Sequence, residues 1–145
     1  MVAVFIGHSD CTLPVSVVKT KIRDMINSGV RQFLNGGMGA FDAICARAVY
    51  ELKEDFPYIE SILVIPYLNF KCLFAHLFDG SIYPEGLENY HYKAAINKRN
   101  DYMLDSSDVA LCYVYTLGRC LRTYKGAIKR KLILYHLCEP PKTLL

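Results

Sequence analysis

Two carboxylates, one guanidinium and a cluster of glycines carry the chemistry open to this chain. Asp42 stands three residues beyond the run Gly36-Gly37-Met38-Gly39, and Asp105 lies in the downstream stretch that begins at Arg99-Asn100. A carboxylate beside a ribose accepts its hydroxyls. With suitable placement it also assists cleavage of the sugar–base bond, which passes through a cationic sugar. Asp42 and Asp105 are the candidate catalytic acids on that reading. The plainer reading of Asp42 is charge stabilisation of the first turn of its own helix. Arg99 is suited to a two-pronged grip on a phosphate, or to pairing with Asp101 or Asp105. His8 is either a donor to a ligand or a hydrogen-bonded structural residue.

Glycines set where such groups meet a solute. Phe33-Leu34-Asn35 reads as the end of a strand, and Phe41, Ile44, Cys45, Ala48, Val49 and Leu52 recur at the spacing of one helix face. Strand, glycine turn, helix is the arrangement that aims backbone N–H groups at an anion or sugar. The expected cradle comprises Gly36, Gly37, Met38, Gly39 and Ala40, with Asp42 at the sugar. The alternative is that these glycines serve only close packing of helix on strand.

The surrounding elements follow from apolar patterning. Val2–Ile6 is a first strand that ends at Gly7, followed by the loop Gly7-His8-Ser9. A helix with an apolar stripe at Val15, Val18, Ile22, Met25 and Ile26 comes next. Helix two is expected over 39–55 and a buried strand over 59–65, closed by Pro66. Residues 67–86 read as irregular and aromatic. A helix is expected over 88–105, a strand over 109–115 and the turn Thr116-Leu117-Gly118. A last helix carries Arg119, Arg122 and Thr123 near its start, and a strand over 132–137 follows. Strands alternating with helices imply an α/β, Rossmann-like three-layer sandwich with a mostly parallel sheet of about five strands. One domain is expected over 1–138, with a tail over 139–145. All strand C-terminal ends then share one edge, where ligands of open parallel sheets bind.

Composition narrows the classes. Hydrophobic residues make up 52% of the 145, which favours a packed globule. No apolar run reaches the roughly 20 residues of a membrane span, and nothing at the start resembles a signal peptide. A cytoplasmic protein with no membrane partner is expected. The six cysteines form no Cys-x-x-Cys pair, so free thiols and no metal site are expected. Up to residue 90 there are 7 basic and 10 acidic side chains, and beyond it 10 and 4. The late basic excess is a solvated helix face or a lure for an anion. The aromatic stretch Tyr67, Phe70, Phe74, Phe78 and Tyr83 is core, a base-stacking wall or a homodimer surface.

These segments together resemble the SLOG superfamily, which gathers the Smf/DprA and LOG proteins, and within it the YpsA-like branch. Three stretches carry the resemblance: the first strand into Gly7-His8; Phe33 to Asp42 with the helix through Lys53 and the strand ending Val64-Ile65-Pro66; and Lys98-Arg99-Asn100-Asp101-Tyr102-Met103 through Asp108 with the strand after it. The resemblance implies a Rossmann-like fold that binds nucleotides or their derivatives, with homo-oligomerisation by analogy. Relatives include phosphoribohydrolases, DNA-processing proteins and sensors of NAD-derived signals. The chain departs from the LOG hydrolases, whose Pro-Gly-Gly-x-Gly-Thr motif and nearby glutamate it lacks. Gly118-Arg119 stands where many YpsA-like chains have Gly-Gly, and Ser9 where relatives carry a basic residue. The leading expectation is a sensor or sequestering protein for a nucleotide-like small molecule, needing no further cofactor. Arg99, with Arg119 or Arg122, would neutralise phosphate, with Asn100, Gly118 and Thr123 beside them. The alternative is an N-glycosidic hydrolase acting on a nucleoside monophosphate or NAD-derived nucleotide, and nucleic acid is a third partner class.

Overall fold

The computed structural model describes residues 1–142. The last three positions of the expected tail over 139–145 lie outside the described residues. Six strands form one sheet: β1 (Val2–Gly7), β2 (Gln32–Asn35), β3 (Glu60–Val64), β4 (Gly80–Ile82), β5 (Val109–Tyr113) and β6 (Ile133–His136). Among the described residues, four α-helices accompany them: α1 (Val15–Asn27), α2 (Gly39–Leu52), α3 (Tyr92–Asp105) and α4 (Leu121–Lys129). The spatial order is β4-β3-β2-β1-β5-β6, and every neighbouring pair is parallel.

Parallel strands buried on both faces need apolar residues at successive positions, and β1 supplies them. Ala3 and Phe5 point to one side, where they meet Val18, Ile22, Met25 and Ile26 of α1 and Phe41, Cys45, Val49 and Leu52 of α2. Val4 and Ile6 point to the other, where they meet Met103 and Leu104 of α3 and Tyr124 and Ala127 of α4. The result is the expected Rossmann-like α/β sandwich, with all strands parallel.

The sheet has six strands instead of about five. β4 lies within the aromatic segment expected to be irregular. Gly80-Ser81-Ile82 has no strand pattern of its own, and it is held by register, Ile62 opposite Gly80 and Val64 opposite Ile82. From β1 the chain steps outward through β2, β3 and β4, then returns through α3 to β5 on the other flank of β1. The strand order therefore reverses between β1 and β5. Their C-terminal ends, Gly7 and Tyr113, flank the crevice where ligands of such sheets sit.

Gly37 is one of the constrained points of this edge. Its φ is +70°, and a Cβ there would lie 2.5 Å from Leu63 Cδ1. Gly37→Ala is expected to lower stability by about 2 kcal/mol through combined backbone strain and overlap. Urea unfolding of the variant against the parent checks this.

Candidate functional site

The turn after β2 is tied together by its own side chains. Asn35 is fully buried. Its Oδ1 accepts the Gly37 N–H at 2.8 Å, and its Nδ2 donates to the Asp42 carbonyl at 2.9 Å. Asp42 Oδ2 accepts the Met38 N–H at 3.0 Å, and the Ser9 carbonyl accepts the Ala40 N–H at 2.9 Å. Three donors of the expected cradle are thus already bonded within the chain. Phe70 and Cys72, from the segment after β3, crowd the inner side of Gly37, and Ser9 crowds Gly39. This corrects the expected cradle at Gly37, Met38 and Ala40, whose N–H groups are taken up within the chain. Sequence reasoning missed Asn35. A polar residue closing an apolar strand directly before two glycines is the signal for a side chain that builds a turn.

Arg99 holds this turn from beneath. It lies on the buried stripe of α3 with Ala95 and Met103 and is 2% exposed. Its Nη1 donates to the carbonyls of Gly36 and Val64, both at 2.7 Å, and its Nε donates to Asn100 Oδ1 at 2.9 Å. It therefore joins the C-terminal ends of β2 and β3 to α3. Most of its donors are spent inside the protein, so it is not the open phosphate clamp expected, and Asn100 serves to orient it. Among the described residues, the hydrogen-bond acceptor for Nη2 is the Met38 thioether, at 3.4 Å. Burial pulls the Arg99 pKa down to about 10, against the opposing influence of Asp42.

Asp42 occupies the first turn of α2. Burial pushes its carboxyl up to about 6, while the Met38 N–H and Arg99 pull the other way. Its carboxylate makes no ion pair among the described residues. Asp105 is nowhere near it. The N–H of Asp108, three residues on, bonds the Val2 carbonyl at the start of β1, so Asp105 lies at the opposite edge of the sheet. There it is exposed and accepts from Arg130 Nε at 2.7 Å. The structure does not bring the two candidate acids together, because a helix that feeds a parallel strand ends at the strand's N-terminal edge.

On the other flank of the crevice, His8 is 8% exposed. Its Nε2 accepts the Tyr115 N–H at 3.2 Å, which leaves the proton of a neutral ring on Nδ1, 3.4 Å from Cys120 Sγ. Its ring meets the edge of Tyr115 at 4.4 Å between centroids. His8 thus ties β1 to the start of α4, the structural one of its two readings. α4 itself starts without a side-chain cap and without an acidic residue in its first turn. Gly118 and Arg119 are exposed just before it, and Thr123 lies in its first turn half-buried. Arg119 has no ion-pair partner among the described residues. Arg122 pairs with Asp101 through two contacts of 3.2 Å. Gly7 forms the floor, packed against the Phe41 ring. The described cysteines are all free thiols, and no group of side chains among the described residues is arranged to hold a metal ion. An open groove of about 490 Å³, bordered by Pro84, Lys98, Asp101 and Arg130, includes Asp105 but none of the other residues of the expected site.

No family model and no curated protein matches this sequence. Among solved structures, the chain is similar to DNA processing protein A (DprA) from Streptococcus pneumoniae, with a TM-score of 0.69 and 15% identity over 92% of this chain and 49% of that one. It is also similar to DNA processing protein A from Helicobacter pylori, whose structure concerns its single-stranded DNA binding mode. The TM-score there is 0.66, with 19% identity over 98% of this chain and 67% of that one. The chain spans about half the length of the Streptococcus protein. DprA proteins belong to the SLOG superfamily that the sequence resembles, and at these identities the agreement is one of fold. Among the described residues no helix is long and apolar enough to cross a membrane.

Two outcomes follow for the site. Arg99→Lys is expected to cost about 3 kcal/mol in urea unfolding, because one ammonium cannot serve Gly36, Val64 and Asn100 together. For Asp42, the native state holds its proton more tightly than the unfolded chain. Stability therefore falls as pH rises from about 4 through about 6 and is level above that. Asp42→Asn keeps an acceptor for Met38 but has no such titration. The variant is expected to gain about 2 kcal/mol on the parent between pH 4 and pH 7, allowing for partial exposure of the residue.

Proposed function

We propose that this protein binds a sugar-phosphate ligand of the nucleotide class at the C-terminal edge of the sheet, across β1. The observation that carries this is the pairing of two unlike helix N-termini at the strand-order reversal. The first turn of α2 holds the Asp42 carboxyl, an acceptor for sugar hydroxyls. The first turn of α4 holds no acid and no side-chain cap, and Arg119 is exposed beside it. Uncapped backbone donors and a free guanidinium favour a phosphate there. α2 follows β2 and α4 follows β5, the two strands that flank β1, so both helix starts lie at the C-terminal edge, one on each face of the sheet. The phosphate would meet Gly118, Arg119 and Thr123, and the sugar would meet Asp42.

Binding without turnover is the reading favoured over hydrolysis. The acid pair expected for glycosidic cleavage is not assembled, since Asp105 lies on the far edge. One observation favours a second reading, single-stranded nucleic acid. Tyr92 and Tyr115, 57% and 45% exposed, accompany Lys93 and Arg119 near this edge, and stacking rings with basic side chains suit single strands. The Helicobacter neighbour is described as binding single-stranded DNA.

A thermal-shift screen with mononucleotides, dinucleotides and short single strands separates these readings. A small ligand is expected to raise the melting temperature, and Arg119→Glu to weaken its binding at least about tenfold without altering the melting temperature of the free protein. Stabilisation by oligonucleotides alone, growing with strand length and lost in salt, would favour the second reading instead.

A further inference from the structure

We propose that Met38 is a displaceable stand-in for the ligand, and that Asp42 and the Nη2 of Arg99 together read a vicinal diol, so that the site selects ribose over deoxyribose. This rests on the sugar-phosphate reading above and names the sugar.

Buried charges of opposite sign ordinarily pair directly, since each is costly to leave alone. Here a buried guanidinium and a recessed carboxyl lie on either side of one residue without pairing. Met38 gives its N–H to Asp42 Oδ2 at 3.0 Å and its Sδ to Arg99 Nη2 at 3.4 Å. Arg99 has five N–H donors. Nε and Nη1 meet oxygens on Asn100, Gly36 and Val64. Among the described residues, Nη2 has only the thioether as acceptor. A thioether is a weak acceptor, so this is the least satisfied part of a group that is 2% exposed. Met38 itself is 43% exposed, and its Sδ is the atom that meets Nη2. A rotation of this flexible side chain uncovers the donor without moving the backbone that Asp42 holds.

What the uncovered pair offers is one acceptor and one donor on adjacent points. Two neighbouring hydroxyls meet that demand: one donates to the Asp42 carboxylate and the other accepts from Nη2. A sugar with a single hydroxyl satisfies only one side and leaves the other desolvated. The rigid ties of Arg99 to Gly36 and Val64 keep Nη2 in place for this.

The test measures binding of each ribonucleoside 5′-monophosphate against its 2′-deoxy counterpart by calorimetry, on the parent, Asp42→Ala and Met38→Ala. The ribo form is expected to bind at least about tenfold tighter to the parent. Asp42→Ala should reduce it to the level of the deoxy form. Met38→Ala should tighten the ribo form several-fold and leave the deoxy form unchanged. Equal affinity of the two forms for the parent would overturn the diol reading while leaving sugar-phosphate binding intact. An equal effect of Met38→Ala on both forms would overturn the role of Met38. No binding of either form would remove the proposed function and this inference with it.

Discussion

The edge of this sheet is organised by one buried guanidinium. Arg99 grips the carbonyls that end β2 and β3 and is oriented by its own neighbour Asn100. A buried carbonyl without a donor is costly. One side chain from α3 satisfies both and fixes the helix against two strands. The turn that follows β2 then has a defined base. Asn35 closes it from within, and Asp42 closes it from the helix side. The glycines at 37 and 39 are required because the segment after β3 and the loop after β1 pack directly onto them.

That closure redistributes the functional roles. The turn spends the N–H groups of Gly37, Met38 and Ala40 within the chain and carries Asp42 and Met38 at the sheet edge. The crevice between β1 and β5 has this turn on one side. The uncapped start of α4 with Arg119 forms the other, and Gly7 and His8 lie between. His8 shapes the crevice by bonding Tyr115 and facing Cys120. In the proposed site, a carboxyl at one end and a positive helix start at the other would match a ligand with a hydroxylated end and an anionic end. Two unlike termini at a strand-order reversal thus favour a sugar-phosphate over a ligand of uniform charge.

Much of the fold was legible because parallel strands buried on both faces leave continuous apolar runs, as at Val2–Ile6 and Val109–Cys112. β4 was not legible, since Gly80-Ser81-Ile82 becomes a strand only by pairing with β3. The burial of Arg99 was written in its spacing, four residues from both Ala95 and Met103, yet its acceptors come from residues 63 and 35 positions away. No local pattern reports such partners. Asp105 was misplaced for a different reason. It ends a helix that feeds β5, and strand direction alone puts it at the edge away from Asp42. Asn35 carried a usable turn signal. The pairing of His8 with Cys120, 112 residues apart, carried none.

Residue-resolved mapping of a bound nucleotide on the ¹⁵N-labelled protein tests the central claim most directly. Titration with a ribonucleoside monophosphate is expected to shift the amides of Met38 to Asp42 and of Arg119 to Thr123 together, while those of Val2, Asp105 and Asp108 stay still. Shifts confined to that opposite edge, or to the groove beside Lys98 and Arg130, would contradict a crevice across β1 as the binding site.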